Sequence, residues 1–251
     1  MHFSSLFCGA SLAALALAAP SPGRGHFHPG PHHYPTTAYK HHPTTTSTAH
    51  PTTTNYNCGS ITRAYATEVV KQFVIDQIVP DLIELNTLGT PSVVVNVTYG
   101  SKDVNLGTYF TTTETLDQPT AFSFTAEEGY DPYTTLYMVF LIDPDVPQEG
   151  SPTQVNYAHW IFYNAQPQCV TNQAITTVDT YQSPTPASTT QHRYTFLVYR
   201  QPPGFTVSAT EAAALNIRTP FDLNDYTEAN GLVLVGGNYF NEAIGNGIQG
   251  S

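Results

Sequence analysis

Basic side chains are scarce in this sequence. Its 251 residues hold eight Lys and Arg against 19 Asp and Glu, a formal net charge of −11. Arg24 and Lys40 precede residue 58 and no acidic residue does, so residues 58–251 carry 19 acidic against 6 basic side chains, a net −13. A surface so acidic repels phosphodiester backbones and anionic lipid, which excludes nucleic acid as a partner and a stable grip on an anionic membrane. Long hydrophobic runs are missing too. Leu12 to Ala19 falls short of the ~20 apolar residues that span a bilayer, and no later segment is apolar for that length. No stable membrane insertion is expected. Cysteine is limited to Cys8, Cys58 and Cys169. Internal repeats and heptads are absent.

What is present divides the chain in three. Residues 1–19 combine the short apolar run with Ala16-Leu17-Ala18, small residues suited to a cleavage site. The pattern reads as a secretory signal peptide, although its start carries His2 and no Lys or Arg. Residues 20–57 are Pro, Thr and His with almost no aliphatic side chains, as in His32-His33-Tyr34-Pro35-Thr36-Thr37. Such a stretch cannot bury enough apolar surface to offset its ordering entropy, and reads as a disordered arm open to O-glycosylation. Its His pairs suit loose transition-metal binding; a solvated spacer is the simpler reading. Residues 58–251 form the domain. The protein is expected to be secreted and extracellular, with a cell-wall or vacuolar route left open. Cys8 leaves with the signal peptide, and Cys58 and Cys169 then read as one disulfide, the alternative being two separate buried thiols. Asn96-Val97-Thr98 is the single Asn-x-Ser/Thr sequon and makes Asn96 a glycosylation candidate.

Strand signals dominate the domain. Ser92–Tyr99 is β-branched and ends at Gly100, while Leu136–Ile142 is a continuous apolar run stopped by Asp143-Pro144 and suits a strand buried on both faces. Residues 159–163, 193–199 and 231–237 read as further strands, with Asn238-Tyr239-Phe240 following. Helices are few. Ala66 to Ile78 has apolar residues at helical spacing ahead of Pro80; Thr210–Leu215 is alanine-rich; Asp222 is a candidate N-cap for a short helix. The expectation is a mainly β, antiparallel sandwich with a few peripheral helices.

Of ten histidines only His159 and His192 fall in the domain, each beside aromatic residues. Asp143-Pro144-Asp145 closes the most apolar strand, and its loop is restricted by Pro144 and Pro147. Singly, an Asp-Pro is usually a turn signal and a His beside Trp a hydrogen-bonded core residue. Together they are more specific. Asp143-Pro144-Asp145-Val146-Pro147, Asn156-Tyr157-Ala158-His159-Trp160 and His192-Arg193-Tyr194-Thr195-Phe196-Leu197-Val198-Tyr199 resemble, in order, the three signature blocks of the phosphatidylethanolamine-binding proteins. The 16-residue step from Asp143 to His159 agrees as well, and Thr219–Leu223 and Gly237–Asn241 resemble the family's C-terminal segment.

The resemblance implies a large antiparallel sheet packed on a smaller one, and a surface pocket for a phosphate- or carboxylate-like group, phospholipid headgroups included. That pocket would comprise Asp143, Asp145, Pro147, His159, His192 and Tyr194. It also implies a cis peptide at Val146-Pro147. Asp145 is expected to orient His159 and keep it charged, since a nearby carboxylate favours imidazolium. One departure stands out: Pro184–Gln191 contains no glycine where relatives often carry several, so Ser188, Thr189 or Thr190 would have to replace backbone donors. Family relatives that inhibit serine carboxypeptidases or other serine proteases make inhibition the second functional reading. An enzyme is disfavoured because no activated nucleophile is evident. A metal site from Asp143, Asp145, His159 and His192 is the remaining alternative; no cofactor and no metal are expected.

Overall fold

The computed structural model describes residues 58–245 except 148, 149, 152, 172, 187 and 188, and of Leu85 the backbone alone. The signal peptide and the arm lie outside the described residues, as does Ser188.

Thr62 caps the first helix, α1 (Arg63–Ile75), by accepting the Tyr65 N–H, and the helix buries Ala66, Val69 and Phe73. It ends ahead of Pro80, as the sequence predicts. Two short turns follow, α2 (Ile78–Asp81) and α3 (Leu85–Leu88). The strands are β1 (Val95–Tyr99), β2 (Lys102–Asp103), β3 (Thr108–Phe110), β4 (Ala121–Phe124), β5 (Tyr137–Val146), β6 (Val155–Ala165), β7 (Thr176–Asp179), β8 (His192–Arg200) and β9 (Val233–Glu242). Between β8 and β9 lie α4 (Ala209–Leu215), with a capping box from Ser208 and Glu211, and α5 (Leu223–Ala229), capped by Asp222.

The strands form a six-stranded sheet, β3-β9-β8-β5-β6-β7, and a three-stranded sheet, β2-β1-β4. The mainly β sandwich expected from the sequence is what the chain builds. Pairing is antiparallel except between β3 and β9, which run parallel. The strand signals around β2, β3, β4 and β7 were too short or too exposed to stand out in the sequence.

Period-two alternation explains the two cores. Met138, Phe140 and Ile142 face one cluster with Val69, Phe73, Leu197 and Tyr199 beneath the helices. Tyr137, Val139 and Leu141 face the other, with Val95, Val97, Phe196 and Phe240 between the sheets. The apolar run of β5 is therefore continuous because both of its faces are covered.

The sequence suggested that the strand at 231–237 ends at its glycine pair; instead β9 runs on to Glu242. Gly236 and Gly237 lie inside it because the backbone is crowded there. A Cβ on Gly236 would sit 2.7 Å from the Val93 carbonyl oxygen, and one on Gly237 2.8 Å from the Phe73 ring. The Asn238 side chain bridges the sheets, donating to the Val95 and Val104 carbonyls and accepting the Leu106 N–H, each at 2.9 Å.

Cys58 and Cys169 form a disulfide, Cα atoms 4.7 Å apart, across 111 residues of chain. Val146–Pro147 is cis; so are Val79–Pro80 and Thr219–Pro220, which the sequence did not single out. No helix among the described residues is long and apolar enough to cross a membrane. Asn96 lies exposed on β1.

Candidate functional site

At one end of the large sheet, Asp143, Val146, Pro147, Tyr157, His159, Gln182, Thr185, His192 and Tyr194 line a cavity of about 180 Å³. Five of the six residues expected there converge on it: Asp143, Pro147, His159, His192 and Tyr194. Asp145 does not line it.

Asp145 is wholly buried and belongs to a different network. Its Oδ2 accepts the Arg193 backbone N–H at 2.8 Å and Nε at 2.9 Å, and its Oδ1 accepts Nη2 at 2.6 Å. The same guanidinium donates to the Asp76 carbonyl at 2.8 Å and to Asp81 at 2.9 Å, tying β5 and β8 to the region that follows α1. Burial opposes the charged guanidinium, and the hydrogen bonds and charges of Asp145 and then Asp81 outweigh it, raising its pKa.

In a regular strand, Asp143 and Asp145 would share a face. Their partners, His192 and Arg193, are consecutive on β8 and so face opposite sides of the sheet. The β5–β6 pairing is irregular between Asp143 and Val146, which allows the two carboxylates to part. The expected role of Asp145 as partner to His159 is thereby corrected: the carboxylate near that ring is Asp143, at 4.0 Å from Nε2. The four-ligand metal reading is corrected for the same reason, and no group of three or more His, Cys, Asp or Glu arranged to hold a metal occurs among the described residues.

His159 reaches the cavity through a bulge. On β5, Leu141 pairs with Trp160 and the next residue, Ile142, with Ala158, so His159 is the extra residue of β6. Ala158 faces the core beneath the helices, Trp160 packs against the core between the sheets, and the bulge lets His159 turn to the cavity. Its backbone is held from outside the strand: Gln182 N–H donates to the His159 carbonyl at 2.8 Å, and the Arg218 guanidinium donates to the Ala158 and His159 carbonyls at 3.0 and 3.2 Å. Arg218 also pairs with Asp179. Sequence reasoning missed this support of the His159 backbone, because nothing local distinguishes Arg218.

The two imidazoles are pushed in opposite directions. His159 Nδ1 lies 2.9 Å from the Gln182 carbonyl. A carbonyl only accepts, so Nδ1 carries the proton. Burial holds the ring below the ordinary histidine range, against the opposing pull of Asp143; at neutral pH Nε2 is then an acceptor. His192 Nδ1 donates to Asp143 Oδ2 at 2.8 Å. Burial works against its charged form as well, yet the Asp143 hydrogen bond and charge prevail and raise its pKa. Its Nε2 is buried and meets no acceptor in good hydrogen-bond geometry among the described residues, although the Pro147 carbonyl lies close enough to favour the charged ring. Tyr194 stacks on His192 with centroids 6.2 Å apart and meets His159 edge-on at 5.1 Å. Burial and the charge of Asp143 push its hydroxyl pKa up, so it stays a neutral donor.

The cavity thus offers an N–H at His192 Nε2, on a ring whose charged form Asp143 favours and balances, flanked by an acceptor at His159 Nε2. Of the hydroxyl donors suggested for the glycine-free approach, Ser188 lies outside the described residues and Thr189 and Thr190 are not among the described residues that line the cavity; Thr185, not singled out for it, is.

A family model described as Phosphatidylethanolamine-binding protein matches residues 100–240. Protein TWIN SISTER of FT from Arabidopsis thaliana is 30% identical over 178 residues, 70% of this chain and 93% of that protein. A 26 kDa secreted antigen of Toxocara canis is 32% identical over 58% of this chain and 60% of that protein. Among solved structures, a carboxypeptidase Y inhibitor complexed with its cognate proteinase shares the fold, with a TM-score of 0.61 and 23% identity over 72% of this chain and 97% of that one.

Proposed function

This chain belongs to the phosphatidylethanolamine-binding protein family, and from that premise we propose that it is a secreted binding or regulatory module whose cavity takes a small anion, a phosphate- or carboxylate-like group such as a phospholipid headgroup. The observation that carries this reading is His192 Nε2: a buried donor on a ring whose charged form Asp143 favours, with the Pro147 carbonyl nearby but no protein acceptor in good hydrogen-bond geometry among the described residues. An unpaired buried donor costs about 1–3 kcal/mol, which an incoming anion recovers. The balancing carboxylate leaves the site without net positive charge, so it favours monoanions, or headgroups that also bring a donor for His159 Nε2. Secretion is supported by the disulfide and by similarity to a protein named as a secreted antigen. A regulator rather than an enzyme fits relatives of this kind.

Acetate is a suitable probe. With four non-hydrogen atoms, it binds no tighter than tens of micromolar on a ceiling of about 1.5 kcal/mol per atom, so the titration is read by NMR. Affinity is expected to be full at acid pH and to fall as pH rises through the raised His192 pKa, with His192→Ala weakening it about tenfold or more at pH 6. Affinity that is flat from pH 5 to 8, or unchanged in that variant, removes this reading. Inhibition of a serine carboxypeptidase is the second reading, favoured by the fold shared with the carboxypeptidase Y inhibitor. Inhibition that survives His192→Ala would separate that role from the cavity.

A further inference from the structure

Behind His192 lies an acid that the binding reading does not use. Glu242 closes β9 and is fully buried. It is the direct cross-strand partner of His192 on β8, and residues opposed in this way share a face with Cβ atoms about 5 Å apart. Its Oε2 accepts the Thr115 hydroxyl at 2.6 Å; its Oε1 has no partner among the described residues. Thr115 is itself fully buried, and its carbonyl accepts the Tyr181 hydroxyl at 2.6 Å. No basic side chain forms an ion pair with Glu242 among those described.

We propose that Glu242 sets the pH range of the anion pocket, admitting an anion while protonated and opposing it once ionised. The inference rests on the pocket reading above. The titratable groups that face Glu242 come from several elements. Asp143 on β5 and Glu114 beside Thr115 oppose its ionisation; His192 on β8 and the Thr115 hydrogen bond favour it. Tyr99 on β1, Tyr181 after β7 and Tyr194 on β8 all have their own ionisation suppressed in part by the Glu242 charge, so they remain neutral donors or spectators. Glu114 is exposed and paired with Lys102, which offsets its charge. Burial is the leading effect and pushes Glu242 up to about 7.

The charge count then follows. With Glu242 protonated and His192 charged, His192 and Asp143 cancel. With Glu242 ionised, two carboxylates surround one imidazolium and the pocket is net negative. Binding an anion favours the protonated acid, so binding draws a proton onto Glu242. Removing the acid also removes a charge that helps His192 stay protonated, but Asp143 at 2.8 Å remains to hold it.

The test uses purified full-length protein, acetate as the probe and NMR titration at pH 5.5 and 7.5. Glu242→Gln keeps an acceptor for Thr115 and cannot ionise. It is expected to bind acetate about threefold more tightly than the wild type at pH 7.5, where an acid that titrates near neutrality is still partly protonated, and to match it at pH 5.5, for one unit charge a few ångströms from the site. If acetate binds both proteins through His192 and the two pH profiles run parallel, Glu242 has a structural role only; the inference fails and the pocket reading stands. If acetate binds neither protein at either pH, the pocket reading fails and this inference with it. Should the variant not fold, infrared titration of the wild type decides. A protonated-carboxyl band that disappears near neutral pH, and does so at higher pH with acetate present, supports the proposal; no such band between pH 6 and 8 overturns it.

Discussion

Asp143 and Asp145 stand two residues apart and do different work. Asp143 accepts from His192 at 2.8 Å, which favours its charged form, and lies 4.0 Å from His159. Asp145 anchors Arg193, and through it the Asp76 carbonyl and Asp81. Removing one partner of a buried, hydrogen-bonded ion pair costs about 3–5 kcal/mol, because the other charge is left uncompensated. Asp145→Asn is therefore expected to lower thermal stability strongly, while the folded fraction retains acetate affinity within about twofold. Asp143→Asn is expected to weaken acetate binding about tenfold, since it leaves His192 without the carboxylate that raises its pKa. Denaturation curves and NMR titrations of the two variants check this; equal loss of binding in both would show that the carboxylates act together after all.

At the scale of elements, the cavity depends on two departures from regular strand geometry. One is the irregular pairing of β5 near Asp143; the other is the bulge of β6 at His159. A bulge leaves backbone groups unpaired by the ladder, and these have to find partners elsewhere. Here the Ala158 N–H donates to the Arg218 carbonyl at 2.9 Å, while the Arg218 guanidinium returns to the Ala158 and His159 carbonyls. Arg218→Met keeps much of the side-chain length and removes the donors. We expect it to weaken acetate binding about three- to tenfold without touching the ligand, together with a loss of about 1–3 kcal/mol in stability. Stability that falls while affinity stays unchanged would mean that Arg218 supports the fold without aiming His159.

On the scale of the whole molecule, the disulfide joins the start of the domain to the segment after β6. Closing a loop of 111 residues contributes about 4–5 kcal/mol on the chain-entropy model. Cys58→Ser with Cys169→Ser is expected to lose up to that much and to keep the acetate site, which lies on other elements. Denaturation curves measure the loss, and non-reducing mass spectrometry of the purified protein checks the bond; two free thiols would dismiss it. The same spectra, taken before and after glycosidase treatment, test the glycan proposed at Asn96.

The sequence by itself determined the fold class, the identity of the central strand and most of the cavity. Alternating apolar residues and three ordered blocks are local signals, and they survive whatever the rest of the chain does. Five of six expected site residues could be named because those blocks carry them. The sequence could not separate Asp145 from Asp143, single out Arg218 and Glu242, or tell that the pKa of His159 is lowered and that of His192 raised. Strand irregularities, cross-strand register and burial decide those, and each depends on residues far apart in the chain. Protonation is the clearest case: the two histidines have the same intrinsic chemistry, and only the tertiary structure gives one a carboxylate at 2.8 Å and the other a carbonyl at 2.9 Å.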